Sequence, residues 1–195
     1  MPSKMALRSL ISVEDLSASQ AQKLIQLAQK FKSKKKRAMR RIAKSTIEAK
    51  KPKVVTLAFF EPSTRTSTSF EIAALRLGLR PVKFVADEST SLAKGESLHE
   101  TLSTLMAMEP DLLVVRHSGD SKVEKLLTTS KVPCINAGSG IKEHLTQALL
   151  DAMTIIERRG KIEGEKILFV GDVEHSRVAR SGHKLFSQLG AKVAL

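Results

Sequence analysis

A chain of 195 residues can build one large domain or two small ones around a real hydrophobic core. Apolar residues at 42% beside 27% charged ones argue against disorder, and no run approaches the roughly 18–20 apolar residues that span a bilayer. The net charge of +13 is local: residues 1–53 hold 15 Lys/Arg against 3 Asp/Glu and the remainder 18 against 17, so a nucleic-acid or membrane-surface role would rest on KSKKKRAMRR (32–41) alone.

The periodicity predicts a helix over 13–44, with Leu24, Leu27, Ala28 and Phe31 on one face and Ser17 or Ser19 capping its start. Ala38, Ile42 and Ala43 would extend a weaker face beyond the lysines. Residues 53–60, KVVTLAFF, read as a buried strand. A helix over 69–78 ends at Gly78, and a second strand covers 82–86. A helix at 97–108, a strand at 111–116, a short helix at 121–129 and a strand at 132–136 follow. Then come a long helix at 143–159, a strand KILFVGD at 166–172, a helix at 176–189 and the start of one more strand in AKVAL. Strands and helices alternate, which predicts an α/β fold: a parallel sheet flanked by helices on both faces, with ligands at the carboxyl ends of the strands.

The residues after the strands are therefore the informative ones. The first strand delivers Ser63, Thr64, Arg65 and Thr66 just ahead of a helix expected to open near 66–69. Free amides of a helix N-terminus, hydroxyls and a guanidinium suit phosphate or carboxylate oxygens, although Ser63 or Thr66 as a simple cap is the plainer alternative. The third strand delivers Arg116, His117 and Ser118. The fourth leads through Asn136–Gly140 to His144 and Gln147, which share a face of the long helix's first turn and suit a carbonyl or amide group. The fifth is followed by His175, Ser176 and Arg177, and a polar loop between the second and third strands carries Ser91 and Lys94. Neither GxxxxGK[ST] nor GxGxxG is present. The five histidines form no HExxH cluster and no carboxylate pair has metal-binding spacing, so the expected chemistry is electrostatic, with no metal and no cofactor. The single Cys134 excludes an intramolecular disulfide and fits a reducing cytoplasm; no apolar signal-peptide run opens the chain.

FFEPSTRTSTSFE (59–71), STSLAKGES (89–97), VVRHS (114–118), INAGSGIKEHLTQALLDAMTI (135–155) and VGDVEHSRVARS (170–181) resemble, in order, the catalytic chains of the aspartate/ornithine carbamoyltransferase family, on its aspartate branch. The resemblance covers the chain from about residue 8 onward. It implies transfer of a carbamoyl group from carbamoyl phosphate to the amine of L-aspartate, an early step of pyrimidine synthesis. By the same resemblance, Ser63, Thr64, Arg65 and Thr66 would hold the phosphate with help from Arg116. Thr66, Arg116 and His144 would polarise the carbonyl, and Gln147 would meet the carbamoyl amide. Ser91 and Lys94 would reach a neighbour's site across a homotrimer interface, Lys94 and Arg177 would bind aspartate, and regulatory chains are possible partners. The implied division is a carbamoyl-phosphate domain over 1–150, then a linking helix and the start of an aspartate domain over 151–195.

Three departures from the family pattern carry expectations. Leu145 stands where the family's HPTQ has proline, which predicts a looser His144. Ser139 replaces the acid of NAGDG, and Ser67 replaces an arginine after STRT. Family catalytic chains are longer, so a fragment or a naturally truncated relative is expected, one that keeps phosphate-compound binding better than turnover. A non-catalytic ligand-binding or assembly subunit is the alternative.

Overall fold

The computed structural model describes residues 8–33, 53–86 and 95–195. Ser91, Lys94, the expected helical extension through Ala38, Ile42 and Ala43, and residues 34–41 of the basic run lie outside the described residues.

Four strands form a fully parallel sheet in the order β2-β1-β3-β4: β1 Val54–Phe59, β2 Arg80–Val85, β3 Leu112–His117 and β4 Cys134–Ser139. Six α-helices are described: α1 Ala18–Ser33, α2 Thr64–Arg76, α3 Leu98–Ala107, α4 Ser121–Thr129, α5 Leu145–Arg159 and α6 Arg177–Gln188. The central strands β1 and β3 are buried on both faces, which is why they read as continuous apolar runs. Val55, Leu57, Phe59 and Val114 point to the side covered by Phe70 and Ala74 of α2. Ala58, Leu113 and Val115 point to the other, against Leu102 of α3 and Val123 and Leu127 of α4. A separate cluster joins Ala21 and Ile25 of α1, Leu145, Ala148 and Ala152 of α5, and Leu185 and Phe186 of α6.

Several boundaries differ from the sequence expectation. The first helix is preceded by a single 3-10 turn at Val13–Asp15, and Gln20 N–H donates to Ser17 Oγ at its start. Its buried face is Ala21 and Ile25 rather than Leu27 and Ala28, both of which are exposed. The strand of residues 166–172 is only β5 Lys166–Leu168, and it does not join the first sheet; it pairs with β6 Lys192–Ala194 in a second one. No helix among the described residues is long and apolar enough to cross a membrane.

Two differences matter most for the strand ends. Helix α2 opens at Thr64, so Ser63–Thr66 is the N-cap and first turn and not a loop ahead of it. Strand β4 runs on to Ser139, because a bulge sets Val115 opposite Asn136 but His117 opposite Ser139. Buried Asn136 holds this bulge: its Oδ1 accepts from Gly138 N–H at 2.8 Å and its Nδ2 donates to Ile11 C=O at 2.9 Å. The same side chain thereby ties down the N-terminal segment, whose Leu10 pairs with the free edge of β4.

Candidate active site

Parallel pairing sets Phe59 beside Arg116, so the carboxyl ends of β1 and β3 discharge their next residues at the same place. There a cleft of about 1090 Å³ opens, lined by Ser63, Thr64, Arg65 and Thr66 of α2, Arg116 of β3, His144, Thr146 and Gln147 of α5, and Arg177 of α6. Ser63, Thr64, Arg65, Thr66, Arg116, His144, Gln147 and Arg177, which the sequence resemblance assigns to one site, all line it. His117 and His175 do not line it: His117 is fully buried, its Nδ1 accepting from Gly119 N–H, and exposed His175 pairs with Asp172.

Two helices aim their N-termini into this cleft, and neither is closed by a side-chain cap. Ser63 occupies the N-cap of α2, yet its hydroxyl makes no capping bond and accepts instead from Arg116 Nη1 at 3.1 Å. His144 occupies the N-cap of α5, also without a capping bond. Free amides at both helix starts carry partial positive charge toward any ligand between them.

Charge in the cleft is strongly one-sided. Arg116, almost fully buried, donates through Nε to Glu61 Oε2 at 3.3 Å, and Arg177 Nη1 lies 3.5 Å from the same oxygen. Arg177 Nη1 also donates to Gly140 C=O at 2.8 Å, which sets the direction of its guanidinium. Burial and the neighbouring Arg177 both lower the Arg116 pKa, against the opposing pull of Glu61. His144 is pushed down to about 4 by burial first and by Arg177 and Arg116 second, so it is a neutral imidazole at physiological pH. Its Nδ1 is buried without a partner among the described residues, leaving Nε2 as the ring nitrogen available to the cleft.

Leu145 does not loosen His144 as expected. Its side chain is fully buried in the core that joins α1, α5 and α6, and the His144 N–H donates to Ser181 Oγ of α6 at 2.8 Å. Side-chain packing and a helix-to-helix bond hold this turn without a proline. Ser139 is likewise buried within β4, with its hydroxyl 3.4 Å from Asn136 Nδ2.

Glu61 and Ser181 were not singled out from the sequence. For Glu61 a signal existed, since an acid lies two residues ahead of Ser63–Thr66 in a sequence whose other strand ends supply arginines that need a counter-charge. Nothing comparable marks Ser181, which meets His144 only through tertiary packing. Gly140, expected as a point of close backbone approach, has a φ of +48°, and a Cβ there would fall 2.2 Å from the Ser118 carbonyl oxygen.

The family model described as aspartate/ornithine carbamoyltransferase, carbamoyl-P binding domain, matches residues 8–157. The chain belongs to this family. It is 43% identical over 186 residues to the aspartate carbamoyltransferase catalytic subunit of Solibacter usitatus, covering 95% of this chain and 60% of that protein. It is 46% identical over 188 residues to that of Desulfitobacterium hafniense, covering 96% and 58%. The crystal structure of Trypanosoma cruzi aspartate transcarbamoylase in complex with carbamoyl phosphate and aspartate superposes with a TM-score of 0.77 at 35% identity, covering 95% of this chain and 58% of that one. The chain thus spans about three-fifths of the length of the curated relatives it matches.

Among the described residues no group of three or more His, Cys, Asp or Glu is placed to hold a metal ion. Cys134 is buried in the core, with its thiol pushed up to about 11 by burial, which leaves it a poor nucleophile. A second cavity of about 750 Å³ lies beside the N-terminal segment; of its lining cations, Lys142 pairs with Glu124, Lys184 with Glu14 and Glu143, and Arg180 donates to the Glu174 carbonyl.

Proposed function

We propose that the cleft is the carbamoyl-phosphate site of an aspartate carbamoyltransferase of the cytoplasm, and that the whole protein transfers the carbamoyl group to L-aspartate. The observation that carries this reading is the convergence of two uncapped helix N-termini with Arg65, Arg116, Arg177 and a neutral His144. The Trypanosoma relative crystallised with carbamoyl phosphate and aspartate supports the choice of ligands.

On this reading the phosphate sits on the amides and hydroxyls of Ser63–Thr66, with Arg65 and Arg116 facing its oxygens. Thr66, Arg116 and His144 Nε2–H donate to the carbamoyl oxygen. A neutral imidazole can donate there without bringing a further cation beside two arginines. Gln147 meets the carbamoyl nitrogen. The aspartate amine forms the new C–N bond, the C–O bond to phosphate breaks, and the amine proton leaves with the phosphate. Charge gathers on the carbonyl and bridging oxygens, where these donors are already in place, so positioning and electrostatics supply the acceleration. Arg177 holds a carboxylate of aspartate, together with Lys94. Ser91 and Lys94 act on a neighbouring copy in a homotrimer, with regulatory chains as further possible partners. Residues 1–150 form the carbamoyl-phosphate unit and residues 151–195 lead into the aspartate unit.

Calorimetric titration of the chain with carbamoyl phosphate and with inorganic phosphate tests the seat, and an assay for N-carbamoyl-aspartate tests transfer. Saturable binding of both phosphate compounds is expected. Arg65→Ala should weaken it by about 10–100-fold, the worth of one charge-assisted contact to a phosphate. Absence of saturable binding would overturn the proposal.

A further inference from the structure

One cleft residue is held by a group outside the cleft. Gln147 lines the site, and its Nε2 donates to Asp151 Oδ1 at 2.9 Å, one turn further along α5. The i, i+4 spacing places both side chains on the same helix face. Asp151 is half-buried and is not among the residues lining the cleft.

The two ends of a glutamine side chain are chemical opposites, a donor NH2 and an acceptor oxygen, and nothing in the residue itself decides which end faces a ligand. An ionised carboxylate only accepts, so Asp151 fixes the choice. The NH2 end is taken by Asp151, and the acceptor Oε1 remains for the cleft. An acceptor at that position pairs with an –NH2 on the ligand's carbonyl carbon and leaves a methyl group unpaired. We infer that Asp151 is a positioning residue that, by orienting Gln147, makes the site choose a carbamoyl –NH2 over an acetyl –CH3. This rests on the carbamoyl-phosphate reading of the cleft and adds to it the residue that reads the amide. Burial raises the Asp151 pKa against the lowering effect of the Gln147 bond, which is the signature of a carboxylate placed in a poorly solvated position for that contact.

Asp151→Asn is nearly isosteric and removes the constraint, because an asparagine can donate to Gln147 Oε1 as readily as it accepts from Nε2. The probes are phosphonoacetamide, a stable mimic of carbamoyl phosphate, acetonylphosphonate, which carries a methyl in place of its NH2, and inorganic phosphate, which reports on the anion seat alone. All three are titrated into the full chain by calorimetry. The original chain should prefer the amide over the methyl compound by about tenfold or more, the worth of one ligand hydrogen bond inside a protein site. In Asp151→Asn that ratio should fall to about threefold or less, while the affinity for inorganic phosphate stays within about twofold. Gln147→Leu should abolish the preference, and the Asp151→Asn/Gln147→Leu double variant should be no worse than Gln147→Leu alone, as expected of residues that act in series. An unchanged ratio in Asp151→Asn, an equal loss for all three probes, or additive losses in the double variant would each overturn the assignment. Phosphate binding without any amide preference in the original chain would overturn it while leaving the anion seat intact. Failure of every probe to bind would overturn the carbamoyl-phosphate reading and this inference together.

Discussion

Replacing Glu61 by glutamine tests whether the cleft is built around a charge balance. The carboxylate lies 3.3 Å from Arg116 Nε and 3.5 Å from Arg177 Nη1, and both arginines repel one another once it is gone. Coulomb's law at an effective dielectric near 20 gives about 5 kcal/mol for one such contact, an upper scale from which desolvation must be subtracted. The groups are neither fully exposed, where a pair is worth about 0–1 kcal/mol, nor fully buried, where breaking one costs about 3–5. Glutamine also keeps one acceptor oxygen for a guanidinium. The net loss should be roughly 1–3 kcal/mol, a fall in Tm of roughly 3–10 °C for a chain of this length. A phosphate ion supplies the negative charge that Glu61 no longer does. Added phosphate should therefore raise the Tm of Glu61→Gln by more than it raises that of the original chain. Thermal melts in phosphate-free buffer and at increasing phosphate measure both effects. An unchanged Tm together with an unchanged phosphate response would refute the idea that Glu61 balances the two arginines.

Three further outcomes follow from the same geometry. Because the His144 pKa is lowered to about 4 in the folded chain against about 6.5 in the unfolded one, the unfolded state alone takes up this proton as pH falls. Stability is therefore lost between about pH 6.5 and 4, by at most about 3 kcal/mol, and His144→Asn should flatten that part of a pH–stability curve measured by urea denaturation. Gly140→Ala must place a Cβ against the Ser118 carbonyl at positive φ, and should cost about 2–4 kcal/mol in the same assay, with weaker anion binding because Arg177 loses its carbonyl anchor. Leu145→Ala empties a fully buried side chain and should cost about 2–5 kcal/mol, which a thermal melt will report.

Periodicity made the layered architecture readable, because a parallel sheet buried on both faces writes its strands as apolar runs and its helices as amphipathic ones. Element ends were less readable where tertiary partners decide them. Helix α2 begins at Thr64, and the Ser63 hydroxyl at its N-cap is taken by Arg116, a residue 53 positions away, instead of capping the helix. Strand β4 continues through Asn136–Ser139 because the Asn136 amide stabilises a bulge that also depends on Ile11. The polar strand ends pointed to the cleft, since several groups suited to one ligand are unlike ordinary capping. Glu61 and Asp151 escaped notice for a common reason. Each acts on another side chain and not on the ligand, and such second contacts have no spacing rule of their own.

The charge in the cleft also limits which ligands suit it. Arg116 and Arg177 share one carboxylate, Glu61, Arg65 adds a third cation to the lining, and two helix N-termini add further partial positive charge. A protonated His144 would sit beside Arg116 and Arg177 in a poorly solvated position, and the lowering of its pKa is the protein's escape from that cost. The imidazole is thereby kept as a hydrogen-bond donor without charge, a form that can donate to a carbonyl without adding to the charge of the arginines. An anion with two negative charges offsets the remaining excess, whereas one with a single charge does not. The excess positive charge of the lining therefore suits an anion that carries more than one negative charge, and His144 and Gln147 are neutral neighbours of that charge.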